Sequence, residues 1–185
     1  DVEEIALYTI RVNIRSLREG GFNFDFIEDY FASDDEDTTS SDWAVNIKNI
    51  RLNNSVLSYS DESQEPIESG FDYNYIKVLA NAHISDLIQE GENMRMKVHK
   101  LNIIDKSGFW IKSLTGELTV VPGGFQIDYM DLQTEHSHLI ANQFSMKGKN
   151  RTWEDYGDFM EKVKLQTFFK KGTLLNMQDL AYFSD

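Results

Sequence analysis

Two histidines in one predicted strand have the type and spacing of residues that bind metal ions. His136 and His138 are two residues apart, so both side chains would lie on one face of a strand. A third ligand would have to come from elsewhere in the chain, such as Glu135 or His99. Exposed strand residues are the favoured interpretation of such a pair, and we predict no metal site.

Carboxylates and hydroxyls offer a second kind of chemistry. Asp128 and Asp131 could be the paired carboxylates of a glycosidase, but both occupy strand positions where a solvated face is expected. Serine, histidine and aspartate are all frequent, yet no stretch resembles a nucleophile elbow. Gly123 and Gly124 lie in a hairpin signal rather than before a helix, which disfavours a phosphate-binding loop. We predict no enzymatic activity and no cofactor.

The charge of the chain restricts its partners. The 31 acidic and 18 basic residues give a net charge of −13. Nucleic-acid-binding proteins need basic patches that displace counterions, so nucleic acid is not an expected partner. The same charge disfavours electrostatic docking on an anionic membrane. No stretch has the roughly 18 apolar residues of a membrane-spanning helix. The first residues do not resemble a signal peptide and enter strand pattern almost directly, so we expect a segment of a longer protein.

The elements that would position these residues share a pattern with apolar positions at i, i+2, i+5 and i+7. A helix would instead show i, i+3, i+4 and i+7. Side chains of a strand alternate between its faces, so the last two positions should lie opposite the first two. A β-bulge adds one residue and would return all four side chains to one face. The pattern therefore predicts bulged strands with one apolar face.

Five copies of this pattern supply the residues that we predict to line an apolar groove. Two further matches near the chain ends are Ile5, Leu7, Ile10 and Val12, and Leu175, Met177, Leu180 and Tyr182. Some matches by chance are expected in a chain that is 41% apolar. The groove candidates are Val45, Ile47, Ile50 and Leu52; Phe71, Tyr73, Ile76 and Val78; Met96, Val98, Leu101 and Ile103; Phe109, Ile111 and Leu114; and Phe125, Ile127, Met130 and Leu132.

The remaining signals complete a mainly β prediction over 1–185 as a single segment. Ten or more short strands are expected, one pair of them separated by a turn at Asn53-Asn54, and the last 20 residues return to strand. Helical spacing predicts short helices over 24–31 and 153–163, and the acidic stretch 33–42 reads as a mobile loop. Without strand–helix–strand alternation, the sheet should be antiparallel. Its apolar stripe would be either a closed core or an open trough for acyl chains.

Several stretches of the chain resemble a known family. The resemblance is to periplasmic segments of TamB-like proteins of the AsmA-like superfamily, and it extends from about residue 22 to the end. Its motifs include residues 50–55 and the set Leu132, Thr134, Ser137 and Leu139. The stretches are FNFDFIEDYF, WAVNIKNIRLNNSVLSYSD, KSGFWIKSLTGELTV, FQIDYMDLQTEHSHL and YGDFMEKVKL.

The resemblance implies a curled antiparallel sheet, or β-taco, with an apolar inner groove. It implies a location in the periplasm of a diderm bacterium, in a protein anchored in the inner membrane outside this segment. The implied role is to carry phospholipid acyl chains toward the outer membrane, or to assist outer-membrane assembly with a BamA-like barrel partner. The family has no catalytic residues that could be transferred to this chain.

Two other functions remain open from the residues. A structural or chaperone-like scaffold could bind client strands at an open sheet edge by β-augmentation. A surface carbohydrate-binding module is suggested by Trp43, Trp110, Trp153 and the eight tyrosines.

Overall fold

The computed structural model describes residues 1–25, 44–151 and 159–183, which form mainly β structure. Nine strands make one mostly antiparallel sheet. Two four-residue helical segments, α1 (Phe159–Lys162) and α2 (Met177–Leu180), are followed by a 3-10 turn at Ala181–Phe183. The strands are β1 (Val2–Tyr8), β2 (Arg11–Ser16), β3 (Ala44–Asp61), β4 (Tyr75–Glu90), β5 (Asn93–Asp105), β6 (Trp110–Val121), β7 (Gly124–Gln133), β8 (His138–Gly148) and β9 (Val163–Phe169).

The sheet is a meander with a parallel pair of strands at one edge. From β3 to β9 each strand pairs antiparallel with the next. β1 and β2 lie end to end along β3 and run parallel to it, which the 18 residues of β3 make possible. A parallel pair needs a long connection, and residues 17–43 provide it.

One face of the sheet collects the apolar side chains, because directly paired residues of neighbouring strands share a face. We call it the apolar face. Its longest row runs through Leu52, Ala82, Leu101, Leu114, Leu132 and Leu139, one residue from each strand from β3 to β8. On the opposite, polar face, a row runs through Ser85, Lys97, Glu117, Asp128 and Gln143.

Register shifts confirm the predicted bulges of β5, β6 and β7, whereas the shift of β3 against β4 lies after Leu52, outside the predicted pattern. Against β6, β7 gains one residue between Asp128 and Asp131, and within that interval Tyr129 has φ 53°. Its side chain is 66% exposed, whereas that of Met130 is 2% exposed. Asn54 in β3 and Asp86 in β4 also have positive φ, a conformation for which Asn and Asp are enriched. The members of the β7 pattern, Phe125, Ile127, Met130 and Leu132, therefore share the apolar face.

Three features of the predicted sheet are wrong. Over residues 1–25, 44–151 and 159–183 it has nine strands rather than ten or more, and several are long. Asn53-Asn54 does not form a turn, because Asn54 takes the left-handed conformation inside the continuous β3. The sheet is also not strongly curled. β5 gains a residue against β6 after Val98, and β6 gains one against β5 before Leu114, so the register of the two strands is restored.

The pattern also fails near the C-terminus of the chain. Leu175, Met177, Leu180 and Tyr182 do not form a strand, because α2 and the 3-10 turn occupy this stretch. Asn176 caps α2 by accepting a hydrogen bond from the Gln178 N–H, which favours the helix start. Of the predicted helix 153–163, residues 159–162 are helical and 153–158 lie outside the described residues. Residues 26–31 of the other predicted helix and the acidic stretch 33–42 also lie outside them.

Replacing Gly116 should destabilise the sheet, because the strands approach closely at the β6–β7 bulge. A Cβ on Gly116 would lie 2.7 Å from Cγ2 of Ile127 and 3.0 Å from the Asp128 carbonyl oxygen. We expect Gly116→Ala to lower the free energy of unfolding by about 1–3 kcal/mol, the usual cost of overpacking. Urea denaturation measures it. Gly91→Asn is the control, because Gly91 (φ 56°) has open space around it and Asn tolerates this conformation. Equal losses in both variants would contradict the close approach.

Candidate functional site

The apolar face is the most extensive candidate for a binding surface. All the predicted groove residues except Phe71, Tyr73 and Phe109 lie in strands of the sheet. The members of the long leucine row are only half-buried. Within the ranges that the structure describes, the buried apolar side chains are Ala80, Val98, Met130 and Ala141.

Exposure is greatest where the apolar face reaches the two edges of the sheet. Leu7 on β1 and Val12 on β2 are 37% and 38% exposed, and Leu165 on β9 is 52% exposed. A contiguous, partly exposed apolar surface of this kind is typical of an interaction site.

Phe71, Tyr73 and Phe109, predicted to line the groove, instead form an aromatic cluster with the end of the chain. The ring of Phe183 lies 5.2 Å from that of Phe71 and 4.9 Å from that of Phe109. Tyr182 lies 5.6 Å from Phe109. The cluster forms where β4 begins and β6 begins, so the C-terminal 3-10 turn packs against this end of the sheet. Phe71 and Tyr73 precede β4, and their spacing follows a loop rather than a strand.

A buried carboxylate, that of Asp72, stabilises the loop before β4 that carries Phe71 and Tyr73. Asp72 is 3% exposed and accepts hydrogen bonds from the N–H groups of Ile67 and Asn74. The Lys106 ammonium lies 3.3 Å from Oδ2. Burial alone would raise the pKa of Asp72, but the two N–H donors and Lys106 together lower it below its ordinary value. These contacts assign Asp72 a structural role.

The end of the chain is held by a second buried carboxylate. Asp179 of α2 is 4% exposed and accepts a hydrogen bond from the Thr134 hydroxyl. Nearby, the Ser137 hydroxyl accepts a hydrogen bond from the Asn176 N–H. α2 is thereby attached to the loop between β7 and β8.

A serine, a histidine and an aspartate meet on the polar face, but in the wrong order for nucleophilic catalysis. The Ser85 hydroxyl lies 2.9 Å from His99 Nε2 and donates to Asp86 Oδ2 at 2.8 Å. A catalytic triad needs the histidine between the hydroxyl and the carboxylate. Here the serine is in the middle, and the His99 ring lies against that of His83, with centroids 4.7 Å apart.

The candidate metal ligands and carboxylate pair are not brought together. His138 Nε2 lies 2.9 Å from Asp131 Oδ1, whereas His99 contacts Ser85 and His83. Asp128 accepts hydrogen bonds from Gln126 and Gln143 instead of sharing a site with Asp131. Across the described ranges, no group of three or more His, Asp or Glu side chains could hold a metal ion.

The depressions on the sheet are shallow. One of about 370 Å³ is lined by Arg95, Lys97, Glu117 and neighbours, and one of about 400 Å³ by Asn81, Lys100, Asn102 and neighbours. Of the three tryptophans considered for carbohydrate binding, Trp110 lies under the Lys112 ammonium, 5.0 Å from its ring centroid. Trp43 and Trp153 lie outside the described residues.

The sequence did not lead us to predict a basic cluster that lies at the end of β8 and the start of β9. A depression of about 370 Å³ is lined by Lys147, Lys149, Lys162 and Lys164, together with Glu161. The alternation in KGK (147–149) and KVK (162–164) is a visible signal. Only the pairing of β8 with β9 places the two stretches side by side. We call these four residues the lysine cluster.

No family model, curated protein or solved structure matches this chain. The resemblance to TamB-like proteins therefore stays a prediction from the sequence. In the part of the chain that the structure covers, no helix is long and apolar enough to cross a membrane.

Replacing Asp72 should make the free energy of unfolding depend less on pH in the acid range. The lowered pKa of Asp72 means that its carboxylate stabilises the fold above the unfolded value of about 3.9, and that this stability is lost as the pH falls through the lowered pKa. We expect Asp72→Asn to cost about 1–3 kcal/mol at pH 7, because buried hydrogen bonds are lost. The gap to the wild type should narrow below about pH 4.

Urea denaturation between neutral and acid pH measures this gap. Glu68→Gln, an exposed change in the same loop, is the control and should have little effect. A gap that stays constant through acid pH would contradict a stabilising carboxylate at Asp72.

Proposed function

We propose that this chain is a non-enzymatic lipid-binding segment whose apolar face holds phospholipid acyl chains. The observation that supports this most is the leucine row from Leu52 to Leu139, which crosses six strands on one half-buried face. Five inter-strand spacings give that row a length of about 24 Å. The apolar face thus has the extent of a surface for a long apolar ligand.

The physical basis of binding would be the hydrophobic effect. Each acyl methylene removed from water contributes roughly 0.8 kcal/mol. The apolar face offers many similar positions, so an acyl chain could move along it without being held at one strong binding site. Rows such as Met96, Leu118, Ile127 and Phe144 lie parallel to the leucine row and enlarge the same surface.

The cellular setting belongs to the same proposal and is supported by the sequence resemblance. In it, the segment lies in the periplasm of a diderm bacterium, and its parent chain is anchored in the inner membrane. Phospholipid would be carried toward the outer membrane, with a BamA-like barrel as a possible partner in assembly. A sheet that is not strongly curled would serve as one wall of such a path rather than as a complete trough.

Photocrosslinking tests lipid binding directly. We expect a photoreactive residue at Ile127 or at Ile47, both on the apolar face, to give phospholipid adducts, because acyl chains would lie against these positions. The protein is produced in a diderm host, purified without detergent, irradiated and analysed by mass spectrometry. Thr119 is the matched control, since it lies on the polar face next to Leu118, the partner of Ile127. Absence of adducts at both apolar positions, or equal adducts at Thr119, would refute the proposal.

A second candidate is a scaffold that binds a client strand by β-augmentation. The specific observation is the edge strand β9, which pairs with β8 on one side. Phe168 and Phe169 on this strand are 54% and 47% exposed. An edge strand presents main-chain groups to which another strand can add.

The two candidates predict opposite effects of two substitutions. If a client adds to β9, Leu165→Pro should abolish capture of an outer-membrane barrel precursor in a pulldown, because proline disrupts strand pairing. Ile127→Gln should leave that capture intact and should reduce lipid adducts. Capture that survives Leu165→Pro but is lost in Ile127→Gln would exclude edge pairing.

A further inference from the structure

The lysine cluster concentrates positive charge at one corner of a strongly acidic chain. The net charge is −13, yet four lysines and one carboxylate, Glu161, line a single depression. Lys147 and Lys164 are directly opposite each other in the β8–β9 register. The other two are adjacent across the strand ends, where the Lys149 N–H donates to the Lys162 carbonyl at 2.6 Å.

Like charges placed directly opposite on antiparallel strands repel each other. Three basic residues elsewhere in the described ranges lie against acidic ones. Arg51 pairs with Glu4, Arg15 with Glu62 and Lys106 with Asp72. Lys147 and Lys164 differ from these pairs, because each faces a like charge in the β8–β9 register. An anion seated between them would turn the repulsion into attraction.

We propose that the lysine cluster is a binding site for a phosphate-type anion. Lysine ammonium groups are compact charges that bind phosphate without demanding a planar geometry. The depression of about 370 Å³ has room for such a group, and Gly148 between Lys147 and Lys149 adds no side chain. Lys147, Lys149 and Lys164 outnumber the one lining carboxylate, Glu161, so positive charge is in excess there even without Lys162.

The position of the site favours the headgroup of an anionic phospholipid as the source of the phosphate, an identification that rests on the proposed function. Val163 and Leu165 lie on either side of Lys164 along β9, so their side chains belong to the apolar face. Val163 pairs with Gly148 and Leu165 with Met146. Lys164 lies on the opposite face of this edge strand, so a lipid whose phosphate occupies the lysine cluster would place its acyl chains on the apolar face by passing around the β9 edge.

Calorimetric titration of the whole chain tests the site with two probes. One is inorganic phosphate and the other is phosphatidylglycerol vesicles, with phosphatidylcholine vesicles as the uncharged comparison. We expect binding of both anionic probes, weakening as sodium chloride rises from about 0.05 M to about 0.5 M, because salt screens exposed charges. Lys147→Gln/Lys164→Gln should weaken both by about tenfold or more, the effect of losing charge-assisted hydrogen bonds.

Lys97→Gln/Lys112→Gln is the matched control, because it removes two lysines of other strands and changes the net charge equally. It should bind both probes like the wild type. The first double variant should also be at least as stable as the wild type without phosphate, since the facing pair no longer repels. Phosphate should raise the melting temperature of the wild type but not of that variant.

Each alternative outcome has a distinct meaning. Binding of neither probe would overturn the site and show that the ammonium groups are neutralised within the chain. Equal losses in both double variants would also overturn it, in favour of general charge attraction. Binding of phosphate without the vesicles would overturn only the headgroup assignment. Loss of lipid adducts at Ile127 with phosphate binding retained would refute the proposed function and leave the anion site standing.

Discussion

The arrangement of this sheet depends on keeping one face apolar along strands of up to 18 residues. Strict alternation would turn the second half of each apolar pattern toward the polar face. A single extra residue with positive φ, such as Asn54, Asp86 or Tyr129, resets the phase. The same device explains why Gly116 stands opposite the β7 bulge, where a side chain would meet Ile127. Packing, exposure and the candidate binding surface all follow from this phase correction.

An antiparallel sheet commonly packs one face against a core and leaves the other in water. Here the face that should be covered is only half-buried, while the C-terminal 3-10 turn contacts one end of the sheet through Phe183. Much apolar area therefore remains available to a ligand or partner. This is the physical basis of the lipid-binding proposal, because the exposed apolar side chains that a lipid would cover already form rows across the sheet.

The sequence predicted the apolar face better than the shape of the sheet. The spacing of Phe125, Ile127, Met130 and Leu132 requires a bulge, and the register of β6 and β7 contains it. The same spacing at Leu175–Tyr182 gave a wrong strand, because the Asn176 cap is a local interaction that outweighs a periodic pattern. The curl of the sheet could not be predicted from the sequence. It depends on where the bulges of neighbouring strands lie relative to one another, and their positions are known only once the strand register is known.

The lysine cluster shows that the net charge of a chain does not determine the charge of each part of its surface. A net charge of −13 disfavours anionic surfaces for the chain as a whole, because long-range repulsion acts on the sum of all charges. Within a Debye length of about 8 Å, however, the nearest charges dominate. Lys147 and Lys164 are distant in sequence and become opposite neighbours only through the β8–β9 pairing. An acidic chain can therefore present a cationic corner, and the acidity of the remaining surface would restrict anion binding to that corner.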